Sequence, residues 1–285
     1  WLSLSADGRK LVGRQQKIVS HLWLLPDGDI KKARQLTFGG RNFDGHVGLA
    51  WTPDGKIVFS VRSGQTTDLY SINPDGGDQV QLTANAGKDN TWPSVSRNTS
   101  NIVFTSHRTG TRQIWRMDSD GRNQKQLTFG EEPKDSAYAP VLSPDGSEVF
   151  FIKLGKGPAA IWKVSIEGGT AIPVSHLKDA TAEGFLSISP DGKFLYGSLR
   201  GDIHELVIYA IDKNGELTYA GRQSTLGKIP RNFAIDPTGN YLLAANQNTD
   251  EIIIFRRNQQ TGLLTNTDKK ISISKPVCLK FSSMN

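Results

Sequence analysis

The chain has 285 residues, 36% hydrophobic and 22% charged, a composition typical of a folded protein and not of a disordered one. Its 34 basic and 28 acidic residues leave a net charge of +6 (34 − 28), spread along the chain, which gives little support for nucleic-acid binding. No apolar run approaches the roughly 18 residues that a membrane-spanning helix requires. The single cysteine, Cys278, excludes an intramolecular disulfide and a cysteine-cluster metal site.

An Asp-Gly turn or its equivalent recurs every 44 to 47 residues. The six turns lie at 7–8, 54–55, 98–99, 145–146, 191–192 and 238–239. A β-branched or aromatic run follows, as at 56–60 and 148–152. Because glycine accepts positive φ, such a turn joins two antiparallel strands tightly. Each repeat is therefore predicted to contain a β-hairpin.

A third run in every repeat carries one aromatic residue. These residues are Trp23, Tyr70, Trp115, Trp162, Tyr209 and Phe255, at spacings of 47, 45, 47, 47 and 46. A second turn and a short fourth run, such as Gln-Leu-Thr at 81–83, complete the unit. Four antiparallel strands per repeat predict an all-β fold, a β-propeller of four-stranded blades. We interpret the aromatic residues as core between blades, with a ligand-stacking ladder as the alternative.

The two ends of the chain both read as innermost strands. Residues 1–5 begin the first repeat, and residues 276–281 align with 230–235 at a spacing of 46. Six repeats therefore carry seven innermost-strand candidates. Pairing of the C-terminal strand with the N-terminal blade would close the ring and remove its edges. We predict one domain, 1–285, with six blades; seven blades are the alternative.

The first part of the chain, 1–178, resembles the TolB-like propeller repeats. The resemblance is carried by Trp-Thr-Pro-Asp-Gly-Lys-Ile-Val-Phe at 51–59, by 68–76 with its Pro-Asp-Gly ending, and by Gln-Val-Gln-Leu-Thr at 79–83. The same pattern returns at 113–121 and 126–130. The resemblance implies a WD40-like repeat fold that binds protein, with a periplasmic or sensory role, and it identifies no binding residue.

The last part, 179–285, is similar to the C-terminal blades of the propeller-type 6-phosphogluconolactonase family. It contains Ser-Pro-Asp-Gly-Lys-Phe-Leu-Tyr at 189–196, Leu-Arg-Gly at 199–201 and a long match at 227–247. The match continues through 261–264 and 275–281. Blades contact only their neighbours, so a propeller tolerates the exchange of blades. We interpret the chain as a chimera, more readily engineered than natural, joined between 165 and 190.

The lactonase resemblance implies three site residues. It places Arg200 and Arg231 where that family binds substrate, and makes Glu183 a candidate acid or base. Lactone hydrolysis needs a base for the water and cations or hydrogen-bond donors for the oxyanion. The family's Ala-Glu-Ile-His element, however, is replaced at 182–188 by a longer segment without histidine. The alternative for Arg200 and Arg231 is a paired or solvated role at the channel rim.

The five histidines lack the spacing of metal ligands, so no metal site and no cofactor are predicted. His46 and His107 fall in predicted loops near strand ends, where propeller sites often form. For both we favour a solvated or structural role over a catalytic one.

The predicted function is a non-catalytic scaffold or binding module, not an enzyme, and a sugar-lactone hydrolase is the alternative. The ligand expected at the central channel is a protein, a peptide or a small anion bound by Arg200 and Arg231. Neither nucleic acid nor membrane insertion is predicted. The compartment stays open, since the TolB-like half favours the periplasm and the lactonase-like half the cytoplasm. The sequence starts at Trp1 without an initiator Met, so a removed leader and a trimmed sequence both stay open.

Overall fold

The computed structural model describes residues 2–4, 11–13, 19–26, 29–39, 43–84, 87–96, 98–130, 135–155, 159–176, 184–200 and 202–282. The regular secondary structure of these residues is β-strand, with a short 3₁₀ helix at Ile30–Lys32. Across these ranges, no helix is both long and apolar enough to cross a bilayer. The all-β class predicted from the repeats is confirmed.

The strands group into small antiparallel sheets that follow chain order. Near the N-terminus two pairs form, β1 (Leu2–Leu4) with β2 (Leu11–Gly13) and β3 (Trp23–Leu24) with β4 (Arg34–Gln35). Blade one is β5 (Phe43–Trp51), β6 (Ile57–Ser63), β7 (Thr66–Ile72) and β8 (Val80–Gln81). Blade two is β9 (Thr91–Val95), β10 (Ile102–Ser106), β11 (Gln113–Met117) and β12 (Lys125–Gln126).

The remaining strands repeat this arrangement three times. Blade three is β13 (Ser136–Leu142), β14 (Glu148–Leu154), β15 (Ala160–Ser165) and β16 (Ile172–His176). Blade four is β17 (Leu186–Ile188), β18 (Phe194–Leu199), β19 (Glu205–Ile211) and β20 (Leu217–Ser224). Blade five is β21 (Pro230–Ile235), β22 (Tyr241–Asn246), β23 (Glu251–Arg257) and β24 (Leu264–Ser272).

The first strands of successive blades are neighbours in space: β5 contacts β9, β9 contacts β13, β13 contacts β17 and β17 contacts β21. The first strand of each blade is therefore its innermost strand. Sheets that meet through their first strands are arranged as the blades of a β-propeller.

The Asp-Gly turns join the first and second strands of the blades, as predicted. In three of them the glycine N–H donates to the carbonyl three residues earlier, at 3.0 Å for Gly55, 2.9 Å for Gly146 and 2.9 Å for Gly192. Each of these glycines has φ between 71° and 81°, a conformation that a side chain disfavours. The turn at 7–8 lies outside the described residues.

The hydrophobic core is divided among the gaps between neighbouring blades. Val58 and Leu69 of blade one pack with Ile102 and Phe104 of blade two, and corresponding clusters fill the next three gaps. A further cluster joins the segment around β3 and β4 to blade one. Each blade thus buries its faces against its neighbours, which explains why one blade would not be stable alone.

Five of the recurring aromatic residues lie on the third strands of the blades, and Trp23 lies on β3, but they are not buried equally. Tyr209 and Phe255 are core residues, with 5% and 0% of their surface exposed. Trp115 and Trp162 are half-buried and lie beneath cations, at 4.3 Å from the Arg108 guanidinium and 4.5 Å from the Lys153 ammonium. Trp23 is 57% exposed, so the core interpretation is wrong for this residue.

The Gln-Leu-Thr endings have a clear structural role in the fourth strands. The Thr83 hydroxyl accepts the Leu69 N–H at 2.9 Å, and Thr128 accepts the Ile114 N–H at 2.9 Å. Thr37 accepts the Leu22 N–H at 3.0 Å in the same way. The threonine therefore replaces a missing backbone acceptor where the two-residue fourth strand ends.

The C-terminal segment, 276–282, lies between the last blade and the first. The Leu279 N–H donates to Asn232 Oδ1 of β21 at 2.9 Å, and the Leu49 N–H of β5 contacts the Cys278 thiol. These residues have no strand assignment, in contrast to the sequence prediction of an innermost strand. The described residues contain five complete four-stranded blades, with β1–β4 and this segment in addition.

Candidate functional site

The candidate site lies on the face of the ring where the innermost strands begin. Adjacent strands of a blade are antiparallel, so the start of the first strand and the end of the second lie on the same face. Arg231 is at the start of β21, His46 is near the start of β5, and Arg200 directly follows β18. The fold therefore brings Arg200 and Arg231 to one face, as the lactonase resemblance implies.

Arg231 occupies a bulge in its strand. Pro230 pairs with Asn246 and Asn232 pairs with Ala245, so Arg231 is the extra residue between the two pairs. A comparable irregularity interrupts β5 between Asp44 and Leu49. Bulges redirect side chains away from the regular alternation of a strand. These two irregularities lie next to the contact that joins the two strands.

The guanidinium of Arg231 reaches His46 on the first blade. Its Nη2 donates to the His46 carbonyl oxygen at 3.3 Å and lies 3.3 Å from the His46 Nε2. Because a guanidinium has only donors, Nε2 must be the acceptor, and the proton of the neutral ring is then on Nδ1. The two residues are 185 positions apart in the chain.

The surroundings of His46 favour its neutral form. Burial lowers the pKa of His46 below its usual value, and the positive charges of Arg231 and Arg62 lower it further. The imidazole is consequently uncharged at neutral pH. His46 lies within β5, so its prediction as a loop residue is wrong. In this contact the cation Arg231 is thus held by a neutral acceptor.

Arg200 is half-buried, and its Nε is shielded from solvent. The preceding strand is anchored by Ser198, whose hydroxyl accepts the Phe185 N–H at 3.1 Å. Glu183, the predicted acid or base, lies outside the described residues. The structure therefore locates two of the three predicted site residues on the candidate face.

Trp92 lies at the start of β9, on the same face. Its ring centroid is 5.6 Å from that of Tyr138 and 6.5 Å from that of Phe185, so aromatic residues of three blades meet there. Trp92 has φ of 50°, at an irregularity of its strand. Its buried indole Nε1–H finds no acceptor among the described residues.

His204 and His21 have structural surroundings. The His204 Nδ1 accepts the Ile229 N–H at 3.3 Å, and the His21 Nδ1 lies 3.8 Å from the Asp44 carboxylate. His107 lies in the turn between β10 and β11. Over the described part of the chain, no three potential ligands among histidine, cysteine, aspartate and glutamate group as a metal site would require.

Fold and site together define a β-propeller protein. Cationic side chains lie on the face of the ring where the innermost strands begin, which we call the channel face. Residues 29–224 match the family model described as the TolB beta propeller domain, and the chain belongs to that family. Residues 170–281 match a second model, described as lactonase, 7-bladed beta-propeller. The two matches overlap at 170–224, so the chain combines features of both kinds of propeller.

The chain is also similar to proteins named 6-phosphogluconolactonase. It is 45% identical over 102 residues to one from Formosa agariphila, covering 35% of this chain and 29% of the relative. It is 34% identical over 161 residues to one from Bacillus subtilis, covering 56% of this chain and 44% of the relative. This chain thus spans less than half the length of these two relatives.

A solved structure extends the similarity to almost the whole chain. A candidate 6-phosphogluconolactonase from Bacteroides fragilis has 26% identity and a TM-score of 0.63, covering 99% of this chain and 86% of its own. Together with the curated relatives, it contradicts the prediction of a non-catalytic scaffold that is not an enzyme. The lactonase alternative is the better supported one.

The scaffold prediction was made without knowledge of the contact between His46 and Arg231. The sequence argument took the missing histidine element at 182–188 as the loss of the site. The fold brings a different histidine, from the TolB-like half, to the lactonase-like arginine. A signal was present: His46 precedes Asp54 by eight residues and Arg231 precedes Thr238 by seven, so both begin innermost strands.

Proposed function

We propose that the protein is a sugar-lactone hydrolase that acts on a phosphorylated or carboxylated aldonolactone. The observation that carries this proposal is Arg231, which lies in the lactonase-matched part of the chain and is held on the channel face by His46. An arginine held in this way suits the recognition of a phosphate or carboxylate. The names of the relatives favour 6-phosphogluconolactone as the first substrate to test.

The chemistry requires water to add to the lactone carbonyl carbon. The ring C–O bond then breaks, the ring oxygen takes up a proton and becomes a hydroxyl group, and the acid product releases a proton at neutral pH. In this proposal Arg231 binds the anionic substituent, and Arg200 supplies positive charge near the developing oxyanion. Glu183 keeps its role as the candidate acid or base through the family resemblance.

Proton release during hydrolysis tests this proposal directly. We expect the protein to hydrolyse 6-phosphogluconolactone faster than the spontaneous reaction. Arg231→Ala should lower kcat/KM by roughly ten- to a hundredfold, the usual effect of losing a charge-assisted hydrogen bond. Arg256→Ala, an exposed arginine of β23, is the control and should leave the rate unchanged. Hydrolysis at only the spontaneous rate by folded protein would refute the proposal.

We also propose that the ring is closed as six blades. Leu22 and Leu36 from the segment around β3 and β4 pack in the core cluster of blade one. Ser20 forms an isolated parallel β-bridge with Phe43 at the start of β5. The segment 276–282 contacts blade five and blade one together. These contacts support a sixth blade built from both chain ends, although the matched lactonase model is seven-bladed. A crystal structure that shows a seventh sheet would disprove this closure.

A junction between two repeat types, near 165–190, stays a prediction. It is supported by the TolB match at 29–224 and the lactonase match at 170–281, which begin and end differently. Exchange of 179–285 for the corresponding part of the Formosa agariphila relative should give a folded propeller, since blades pack through neighbours only. An unfolded product by circular dichroism would argue against independent blade units.

A further inference from the structure

Arg231 is held by two acceptors that both belong to His46. Two acceptors, the imidazole Nε2 and the backbone carbonyl oxygen, belong to one residue and face one guanidinium nitrogen, each at 3.3 Å. A guanidinium on a flexible side chain loses conformational freedom when it is held by two acceptors. The contact therefore orients Arg231 before any ligand arrives.

The charged groups around His46 come from several elements. Arg231 of β21 and Arg62 of β6 contribute positive charge, and on its own strand Asp44 directs its carboxylate to His21. The Phe43 ring lies edge-on, 5.7 Å from the imidazole.

The C-terminal segment adds Cys278 and Lys280 near the contact between β5 and β21. Burial raises the pKa of the Cys278 thiol, and the charges of Lys280 and Arg231 and the Leu49 N–H lower it only in part. Cys278 is therefore uncharged at neutral pH. Apart from the carboxylate of Asp44, the groups described around the contact between His46 and Arg231 are cationic or neutral, which suits an anionic ligand.

We propose that His46 is a positioning residue, which holds the Arg231 guanidinium ready to bind the anionic group of the substrate. This inference rests on the proposed function and deepens it. The imidazole touches the arginine rather than the reacting atoms. His46 lies in blade one, which belongs to the TolB-like half of the chain, whereas Arg231 lies in the lactonase-like half. The anion site is therefore shared between the two halves.

Protonation of His46 has a definite consequence. The added proton occupies Nε2, removes the acceptor and places a second positive charge beside Arg231. The pKa of His46 lies below its usual value, so this change occurs on the acidic side of neutrality. Substrate binding should therefore weaken as the pH falls through this range.

Steady-state kinetics of three variants test the positioning role. His46→Leu removes the side-chain acceptor and should raise KM about tenfold with little change in kcat, since Arg231 binds the substrate before and during the reaction. His46→Gln keeps an acceptor oxygen and should restore most of the affinity. The matched control is His107→Gln, which alters a histidine of blade two on the same face of the ring. This variant should behave as the parent.

The pH profile separates positioning from a general structural effect. Between about pH 5 and 7.5, which spans the ordinary histidine range, KM of the parent should rise on the acidic side more than KM of His46→Gln. The substrate's own phosphate titrates in both proteins, so the difference belongs to His46. A parent KM that falls with acidity relative to His46→Gln would mean that charged His46 binds the anion itself and would overturn the inference.

Two further measurements separate failure of the inference from failure of the proposed function. Calorimetric titration with 6-phosphogluconate measures binding without turnover, and equal affinity of the parent and His46→Leu would overturn the inference alone. Hydrolysis by the folded parent at only the spontaneous rate would refute the proposed function, whatever its affinity for 6-phosphogluconate. NMR of the imidazole nitrogens then decides the contact: Arg231→Ala should raise the pKa of His46, and an unchanged value would overturn the positioning role.

Discussion

Replacement of Arg257 by methionine should destabilise the joint between blades four and five. The Arg257 side chain is fully buried, although it is charged. Its Nε donates to the Tyr196 hydroxyl at 2.8 Å, its Nη1 to the Gly239 carbonyl at 3.0 Å, and its Nη2 to both oxygens of Asp191 at 3.3 Å. The Tyr196 hydroxyl in turn donates to the Gly262 carbonyl at 2.6 Å.

The size of the effect follows from what methionine leaves behind. Loss of one partner of a buried ion pair costs about 3–5 kcal/mol when the other charge stays buried. The Asp191 side chain is 28% exposed, so water can solvate it in the variant, and the lower limit applies. We expect a loss of about 3 kcal/mol in the free energy of unfolding and a Tm lower by about 6 °C.

Urea unfolding followed by circular dichroism measures this difference. The matched control is Arg256→Met on the same strand, where the side chain is exposed and the expected change is within about 0.5 kcal/mol. If Arg257→Met and Arg256→Met unfold at the same urea concentration as the parent, the buried network adds nothing to stability and the reasoning is wrong.

The pH dependence gives a second test of the same network. Burial raises the pKa of Asp191, but the hydrogen bonds from Ser189 and the Lys193 N–H and the charge of Arg257 outweigh burial and lower it overall. A lowered carboxyl pKa stabilises the fold above the unfolded value, about 4, and this stabilisation is lost as the pH falls below it. The difference between the parent and Arg257→Met should therefore shrink below about pH 4.

Three further predictions concern other joints of the ring. Thr83→Val should cost about 2 kcal/mol, because it leaves the buried Leu69 N–H without its acceptor. Gly262→Ala should cost at least about 2 kcal/mol, since φ is +73° and the new methyl group would collide with the Phe194 ring. Deletion of 276–285 should lower Tm and promote self-association, because contacts to blades one and five are lost.

Matched controls decide each of these cases. Thr66→Val alters an exposed threonine of the same blade and should be nearly neutral. Gly64→Ala has a similar φ of +64° but open space around the new methyl group, so it reports the backbone strain alone. Equal losses at Gly64 and Gly262 would contradict the collision. A truncated chain that stays monomeric by light scattering and melts with the parent would contradict closure by the C-terminal segment.

The sequence was informative wherever structure depends on neighbouring residues. The Asp-Gly turns and the Gln-Leu-Thr endings predicted strand positions correctly, because Gly55 and Thr83 act through contacts within one blade. Burial was harder to predict: Trp23 and Phe255 occupy equivalent positions, yet the first is exposed and the second lies in the core. Burial depends on the neighbouring blade, which the repeat itself does not encode.

The site was predicted only in part for the same reason. Arg200 and Arg231 were selected through resemblance to a family, and the fold does place them on one face. The partner of Arg231 was missed, since the spacing of His46 from its turn shows that it lies near the start of an innermost strand but does not show which distant strand it contacts. Such a pair becomes visible only when the order and closure of the blades are known.

The separation of His46 and Arg231 by 185 residues has a consequence for folding kinetics. Contacts between distant parts of a chain form late, because the entropy of closing the intervening loop is lost before the contact can stabilise anything. The blades can form from local hairpins while the two ends are still apart. During refolding, β-sheet signal should therefore recover before ligand affinity, and affinity should report the final docking of the chain ends.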